Sequence, residues 1–426
     1  MSLREDAETI APEIIELRHR IHEDPEVGLE LPRTQEKVLG ALAGLGLEIT
    51  TGKECTSVTA VLRGTAAGSL IDGKKPVVLL RADMDALPVQ EKTGVPFASR
   101  TDGVMHACGH DLHSSMLVGA ARILASHRGL LRGDVVFMFQ PGEEGLDGAS
   151  IMIDAGVLDA AGRHADAAYG LHVFSSLFPH GTFVTKPGVI YSAADSLTVT
   201  VRGVGGHGSA PHTAKDPIQA AAEMVTSLQV MVTRRFDVFD PVVISVGQFS
   251  AGTRRNIIPD TATFEATVRT FSENSREDMQ RYLPQLLKGI ALAHQVEVEI
   301  DYQSKYPMTI NDVNETEEAM KWISEVFGAE HTLRLTNPIT GSEDFSRVLA
   351  EVPGTYIGLG AAVSGRDYRS LAFNHSPLAV FDDSVLPCGT TLYAELAVRR
   401  LAAFGTVEGL AGSLLTPTQN EANRAS

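Results

Sequence analysis

The stretch Val77-Val-Leu-Leu-Arg-Ala-Asp-Met-Asp85 decides the fold class of this chain. Its first four residues are all apolar, which is typical of a strand that is buried on both faces of a sheet. Similar runs occupy Val58–Leu62 and Val135–Phe139, and a helical pattern covers Leu112–Ser126. Buried strands that are separated by helices predict an α/β domain with a mixed sheet covered by helices.

A different pattern begins after residue 188. Four strands are predicted there, over residues 196–202, 241–249, 261–271 and 296–302. Two helices are predicted between them, over residues 216–229 and 275–295. The order strand-helix-strand-strand-helix-strand is that of a ferredoxin-like domain, so we expect such a domain to be inserted into the first one.

These patterns divide the chain into four parts. The α/β domain is expected over residues 1–188 and again over 306–414, and the inserted domain over 189–305. Residues 415–426 are mostly small or polar, so we expect a disordered tail there.

Composition argues against several classes of protein. The chain has 426 residues, of which 43% are hydrophobic and 21% charged, so it can bury large cores. Its 36 basic and 53 acidic residues give a net charge of −17, which argues against binding to nucleic acids or anionic membranes. The sequence contains no apolar run of about 18 residues, so we expect no membrane span.

Two features favour a cytoplasmic location. The first residues, Met1-Ser-Leu-Arg-Glu-Asp-Ala-Glu8, carry acidic side chains where a signal peptide would need a basic start. The three cysteines, Cys55, Cys108 and Cys388, are too few for a disulfide framework and odd in number. We expect Cys55 and Cys388 to be small buried apolar residues.

The strongest chemical signal is Cys108-Gly-His110, directly before a predicted helix. A thiolate and an imidazole two residues apart can converge on one metal ion, and a helix amino terminus favours the thiolate. The alternative is a set of unrelated polar residues at a helix start. We expect the neighbouring His106 and His113 to support the site rather than to bind metal.

Two pairs of acids follow predicted buried strands. Asp83 and Asp85 follow the first strand, at the end where α/β sheets bind their ligands. Glu143 and Glu144 follow the strand at Val135–Phe139. Adjacent carboxylates point in different directions, so one could bind a metal while the other takes a proton from water. Taken alone, each pair would also fit a solvated loop.

Further candidates are dispersed along the chain. A single histidine near apolar residues, such as His172 or His375, is more often a core residue than a ligand. In the inserted domain, His207 lies in a glycine-rich loop, Asn256 precedes a strand and Arg269 lies near that strand's end. A guanidinium group suits a substrate carboxylate, although a surface loop and a surface arginine would explain these residues equally well.

In combination, these motifs resemble the M20 metallopeptidase family, and in particular its amidohydrolase branch. That branch includes hippurate hydrolases, N-acyl-amino-acid amidohydrolases and indole-acetyl-amino-acid hydrolases. The matching stretches are Arg18–Glu26, Arg81–Pro88, Cys108–His113, Pro141–Glu144, Gly205–His212, Asn256–Pro259, Gly341–Phe345 and Phe373–Pro377. The resemblance implies a catalytic domain with a two-metal site, and an inserted ferredoxin-like lid domain that mediates dimerisation.

The resemblance also implies a role for individual residues. The residues that match its metal ligands are Cys108, His110, Glu144, His172 and His375. Glu143 matches the general base, and Asp85 the orienting aspartate, whereas Asp83 is not counted as a ligand. His207 matches the lid histidine that reaches the reacting carbonyl, often in the partner's site. Asn256 and Arg269 resemble binders of the substrate carboxylate.

The expected activity is hydrolysis of the amide bond of N-acyl amino acids, such as hippurate-like or N-acetyl compounds, to a carboxylic acid and a free amino acid. The expected cofactors are two divalent metal ions per chain, zinc or manganese, or else cobalt or nickel. We expect a homodimer or higher homo-oligomer. The alternatives are a dipeptidase or carboxypeptidase of the same family, and a metal-binding protein without activity. The presence of both Glu143 and His207 argues against the last of these.

Overall fold

The computed structural model describes residues 2–68, 70–71 and 73–404. The tail predicted over residues 415–426 therefore lies outside the described residues. The α-helices are α1 (Leu3–His22), α2 (Pro32–Leu42), α3 (His110–Ser126), α4 (Gly148–Asp154), α5 (Pro217–Arg235), α6 (Glu273–His294), α7 (Val313–Phe327), α8 (Ser346–Glu351) and α9 (Leu386–Ala403).

The strands lie between Glu48 and Gly360. They are β1 (Glu48–Thr51), β2 (Val58–Leu62), β3 (Val77–Asp83), β4 (Asp134–Gln140), β5 (Ala167–Phe174), β6 (Phe183–Thr185), β7 (Gly188–Tyr191), β8 (Ala193–Arg202), β9 (Gly206–His207), β10 (Val243–Ala251), β11 (Ile257–Ile258), β12 (Thr261–Thr270), β13 (Glu297–Tyr306), β14 (Thr309–Asn311), β15 (Thr332–Arg334) and β16 (Gly354–Gly360).

The larger sheet has eight strands in the order β1-β2-β4-β3-β5-β16-β6-β15. Strands β4, β3, β5 and β16 are parallel neighbours, whereas β1 and β2 pair with their neighbours in antiparallel fashion. Strand β6 is antiparallel to β16 and parallel to β15. Every residue of β3, β4 and β16 is buried, as the apolar runs within β3 and β4 predict for those two strands. The mixed sheet of the α/β prediction is therefore confirmed.

Helices cover both faces of this sheet. Helices α1, α3 and α9 contact one another and enclose one core, in which Leu17, Leu117 and Leu396 are buried. Helices α4 and α8 contact each other on the opposite face, where Met152 and Val348 belong to a second core. Because both faces are covered, the central strands can present polar groups only where they end.

Residues 193–306 form a second unit with a core of its own. Its antiparallel sheet has the strand order β10-β12-β8-β13, and helices α5 and α6 contact each other and the sheet. The core includes Leu197, Met224, Phe264 and Leu283. Apolar and polar residues alternate in β8 and β12, and this alternation buries one face of the sheet.

The chain crosses between the two units twice, and the crossings lie side by side. It enters the second unit after β7 and leaves it before β14. Strands β7 and β14 pair with each other, with Tyr191 opposite Thr309. The two ends of the second unit are therefore adjacent. None of the helices in the described part of the chain has the length and apolar character needed to cross a bilayer.

Candidate metal centre

The candidate ligands gather at the carboxyl ends of the parallel strands. His172 lies in β5, Glu144 follows β4, and His110 is the first residue of α3. Between Cys108 and His110, Gly109 has a φ of 88°, and a Cβ atom there would lie 2.4 Å from Cγ2 of Val173. Only glycine fits this turn, and the turn directs the thiol and the imidazole to the same place.

The five predicted ligands form two groups that share one thiol. The ligand atoms of Cys108, His110 and His172 lie within 4.8 Å of one another, and so do those of Cys108, Glu144 and His375. The Cys108 Sγ atom is 3.4 Å from Nε2 of His172 and 3.2 Å from Nε2 of His375. The same His375 nitrogen is 3.2 Å from Oε1 of Glu144.

Two of the histidines have ring nitrogens free to bind a metal. Nδ1 of His172 donates to the carbonyl of Val173 at 2.8 Å, so Nε2 keeps its lone pair on the side of Cys108. Burial, aided by the neighbouring His113, lowers the pKa of His172 well below its usual value, so the ring is neutral. Both ring nitrogens of His110 are buried without a hydrogen bond, which a metal ion would remedy.

The loop that carries His375 is fixed from two sides. His375 has a φ of 70°, a strained value for a residue with a side chain, and its N–H donates to the carbonyl of Ala107 at 2.8 Å. The amide of Asn374 donates to the carbonyls of Cys108 and Val173, at 3.2 and 3.0 Å. These contacts hold the imidazole of His375 against the thiol.

Asp85 controls the turn that carries the two glutamates. Its carboxylate accepts hydrogen bonds from the backbone N–H groups of Glu143 and Glu144, both at 3.1 Å. Its Oδ1 atom also lies 3.4 Å from Nδ1 of His110. From the second unit, the hydroxyl of Tyr306 donates to the carbonyl of Glu143 at 2.8 Å. The turn is thus held at both its amide and its carbonyl groups.

Glu143 is a buried acid in a negative environment. Burial raises its pKa well above the usual range, and the charges of Glu343, Glu144 and Asp344 raise it further. Carboxylate atoms of Glu143, Glu343 and Asp344 lie within 4.8 Å of one another. A carboxyl group in this setting can hold a proton near neutral pH, as a group that accepts and returns one must.

The interpretation of the sequence missed the cation that balances these acids. Arg81 is fully buried and donates to Asp83 at 2.6 Å, Glu343 at 2.8 Å and Asp344 at 2.9 Å. An arginine directly after an apolar strand and two residues before an acid was the available signal. Its partners Glu343 and Asp344 lie too far along the chain for any local pattern to show.

Asp83 is occupied by hydrogen-bond partners within the protein. Besides Arg81, it binds His113, whose Nδ1 lies 2.5 Å from Oδ1. The N–H of Val173 donates to Nε2 of His113 at 2.8 Å, so Nδ1 carries the proton and donates to Asp83. His113 thus links β3 to β5 beneath the ligands. The side chain of His106 is buried without a hydrogen bond.

A cavity of about 1250 Å³ opens over the ligands and extends to the second unit. Arg269 of β12 lines it, half-buried, with Nη1 3.3 Å from the hydroxyl oxygen of Ser342. Burial lowers the pKa of Arg269. The nearby Asp195 is bonded instead to Arg276, at 2.6 and 3.1 Å. Among the described residues, no carboxylate forms a salt bridge with Arg269, which leaves an unpaired cation in the cavity.

His207 and Asn256 lie elsewhere. His207 pairs with Ile257 between β9 and β11, and the N–H of Gly208 donates to the carbonyl of Asn256 at 2.9 Å. Both side chains are exposed, and neither lines the cavity. The fold of one chain therefore brings these two residues together but does not bring them to the candidate ligands.

The fold and this site define a hydrolase with a centre suited to divalent metal ions. The chain belongs to peptidase family M20/M25/M40, whose sequence profile matches residues 79–399.

Three comparisons illustrate the similarity. Thermostable carboxypeptidase 1 of Saccharolobus solfataricus is 38% identical over 93% of this chain and 98% of its own length. The hippurate hydrolase of Campylobacter jejuni is 35% identical over 92% of this chain and 99% of its own. The crystal structure of a dinuclear metal-binding peptidase of the M20 family from Bacillus subtilis superposes with a TM-score of 0.77 at 30% identity, covering 92% and 99% of the two chains.

Proposed function

We propose that this protein is a metal-dependent amidohydrolase that cleaves N-acyl amino acids into a carboxylic acid and a free amino acid. The observation that carries the proposal is the unpaired Arg269, which lines the same cavity as the candidate metal ligands. A half-buried guanidinium without an acid partner suits the α-carboxylate of a substrate whose amide lies over the ligands. The hydrolase named for hippurate among the relatives supports this substrate class.

Two divalent ions fit the donor set. Cys108, His110 and His172 would hold one, and Cys108, Glu144 and His375 the other, with the thiolate shared. Bound there, the ions would polarise the amide carbonyl and lower the pKa of a water molecule. Thiolate and imidazole ligands favour zinc, and manganese, cobalt or nickel are the alternatives.

Glu143 is the proposed general base. It would take the proton of the attacking water and deliver it to the nitrogen of the leaving amino acid. Its raised pKa suits the second of these steps, because the protonated form is then stable long enough to act as an acid. Asp85 is the proposed orienting residue, since it bonds the backbone of both glutamates.

The proposal extends to the second unit. We interpret residues 189–305 as an inserted ferredoxin-like lid that also forms a homodimer. His207 would then stabilise the oxyanion in the partner's site, and Asn256 would join Arg269 at the substrate carboxylate. The exposure of His207 and Asn256, away from their own cavity, supports a role that needs a second copy. The three cysteines, none of which forms a disulfide, support a cytoplasmic location.

A peptidase is the second candidate. One relative is named a carboxypeptidase, and a dipeptide differs from an N-acyl amino acid only in the group beyond the amide carbonyl. Both substrates would use Arg269 in the same way.

A substrate panel separates these candidates. Purified protein loaded with zinc, manganese, cobalt or nickel would be given N-acetyl amino acids, N-benzoyl amino acids and dipeptides. We expect N-acyl amino acids to be cleaved best, and preferential cleavage of dipeptides would favour the peptidase. Replacing Arg269 by Ala should lower the preference for free over amidated α-carboxylates, whereas Arg281→Ala, an exposed change on α6, should not.

Glu143→Gln tests the mechanism. We expect this variant to keep its metal content and to lose nearly all turnover, because an amide cannot accept the proton of water. Intact turnover of every cleavable substrate would overturn the proposed role of Glu143.

A further inference from the structure

The strand that ends at the cavity contains a bulge at Lys305. In the pairing of β13 with β8, Ser304 lies opposite Asp195 and Tyr306 lies opposite Ala194. Lys305 therefore has no partner across the ladder. Bulges turn a side chain out of the regular alternation and are common beside active sites.

The backbone of Lys305 is held on both sides. Its N–H donates to Oδ1 of Asp195 at 3.3 Å, and its carbonyl accepts a hydrogen bond from Nη2 of Arg347 at 2.8 Å. The residue lines the cavity, and among the described residues its ammonium group forms no salt bridge. A fixed backbone with an uncommitted charge is a suitable anion-binding group.

Lys305 shares a wall of the cavity with Arg269. Arg269 lies opposite Ala194 on one side of β8, and Tyr306 lies opposite Ala194 on the other. With neighbouring strands about 5 Å apart, the backbones of Arg269 and Tyr306 are about 10 Å apart. Asp195, which follows Ala194 in β8, is already bonded to Arg276 and Tyr302. The wall therefore carries two cations and no free anion.

We infer that Lys305 binds a second carboxylate of the substrate, and that the preferred substrates are N-acyl amino acids with an acidic side chain. The inference rests on the proposed function. When Arg269 binds the α-carboxylate, the side chain of the same amino acid extends along this wall. A carboxylate two or three bonds further along that side chain then reaches Lys305 on β13, on the other side of β8. A dicarboxylic amino acid matches two cations at this spacing.

The test compares N-acetyl-glutamate with N-acetyl-glutamine, which have nearly the same shape and differ in one charge. We expect the wild type to favour the glutamate compound in kcat/KM. Lys305→Met should reduce this preference roughly tenfold, the effect of one partly solvated charge-assisted hydrogen bond. The matched control is Lys288→Met on the outer part of α6, which should leave the preference as it is.

Two further measurements keep the test sharp. Lys305→Glu should favour N-acetyl-lysine over N-acetyl-glutamate, because it reverses the charge at the same position. The preference of the wild type for glutamate should weaken as salt is added, since Lys305 is exposed. A thermal melt of each variant shows whether it has folded.

The outcomes separate this inference from the proposed function. Equal turnover of the two N-acetyl compounds, or a preference that survives in Lys305→Met, would overturn the role of Lys305 and leave the amidohydrolase intact. The enzyme could also prefer N-succinyl-leucine to N-acetyl-leucine while showing no preference for N-acetyl-glutamate over N-acetyl-glutamine. That result would place the second carboxylate on the acyl group and would also overturn the proposed role of Lys305. Failure to cleave any N-acyl amino acid would overturn the proposed function itself.

Discussion

The thiol of Cys108 belongs to both of the proposed ligand groups. The other four candidates each belong to one of these two groups. Its removal would therefore weaken both groups at once, whereas removal of a histidine would weaken one.

We predict that Cys108→Ala loses at least one metal ion per chain and nearly all activity while the fold survives. The fold should survive because the change removes one small side chain from the end of the large core. Elemental analysis of the purified variant measures the metal content. Cys55→Ala and Cys388→Ala serve as controls and should keep both metal and activity. Full metal content in Cys108→Ala would contradict a shared thiolate.

Glu91 is a second side chain whose contribution can be measured, in this case its contribution to the free energy of unfolding. It accepts hydrogen bonds from Thr93 and from the backbone N–H of Ser99, and lies 3.3 Å from His22 of α1. Burial alone would raise the pKa of Glu91, but these contacts outweigh it and lower the pKa to about 2. A carboxyl group whose pKa is lower in the folded state stabilises the fold above its unfolded pKa and loses this contribution as the pH falls towards its folded pKa.

We therefore predict that Glu91→Gln lowers the free energy of unfolding at pH 7 by about 1 kcal/mol more than at pH 2.5. The window follows from the two pKa values, 4.5 in the unfolded chain and about 2 in the fold. Urea unfolding at both pH values measures the difference. The exposed Glu54→Gln is the control, and an equal loss at both pH values would contradict the prediction.

At the scale of elements, the last residue of β13 connects the second unit to the proposed base. The hydroxyl of Tyr306 donates to the carbonyl of Glu143 at 2.8 Å and accepts a hydrogen bond from the N–H of Asp147 at 3.1 Å. Arg347 supports the same junction through a salt bridge of 2.8 Å to Asp147. A movement of β13 relative to the larger sheet would thus move the turn that carries Glu143.

We predict that Tyr306→Phe lowers kcat roughly tenfold with little change in metal content, because the base is less precisely placed. The matched control is Tyr393→Phe, whose hydroxyl likewise bonds two backbone groups, the carbonyl of Arg81 and the N–H of Leu171. That change should lower the melting temperature more than kcat. If the two variants lose kcat equally, Tyr306 has no special link to the base.

The sequence predicted some elements well for a physical reason. Strands β3 and β4 contain the apolar runs of the sequence, which predict strands over Val77–Arg81 and Val135–Phe139, and the observed bounds extend these by two residues or fewer. Strand β5 went unpredicted, although all but one of its residues are buried, because its alanine, glycine and histidine carry no strand pattern. Helix α3 begins at His110, before the predicted Leu112, because Gly109 makes the turn.

The same distinction holds for the site. Local spacing predicted that Cys108 and His110 converge, and the structure places them in one group. His172 and His375 were assigned only through the family resemblance, because their approach to the thiol depends on the packing of distant segments. The network around Arg81 was not predicted for the same reason: its partner Glu343 lies 262 residues away.

At the scale of the whole molecule, the proposed homodimer would explain why His207 and Asn256 lie away from the cavity of their own chain. The edge strand β10 is mostly exposed and includes the apolar side chains of Val243 and Phe249. Edges of this kind need a cover, and a copy related by a two-fold axis would provide one.

Active-site complementation tests whether the partner supplies His207. We predict that His207→Ala lowers turnover without loss of metal, and that Cys108→Ala is inactive. If the two are unfolded and refolded together, mixed dimers should contain one complete site, which restores roughly a quarter of the wild-type activity for random pairing. Each variant refolded alone is the control. No recovery in verified mixed dimers would show that His207 does not act across the dimer.

The adjacent ends of the second unit have a consequence for how such enzymes diversify. Since Tyr191 and Thr309 pair directly, the two ends of the segment between them lie side by side in the larger fold. Recombination can exchange such a segment for another without changing the fold of the rest of the chain, which we call the host. All five candidate ligands remain in the host, and Arg269 and Lys305 travel with the insert. A chimera that takes its insert from a relative should therefore inherit the relative's choice of amino acid while keeping its own metal.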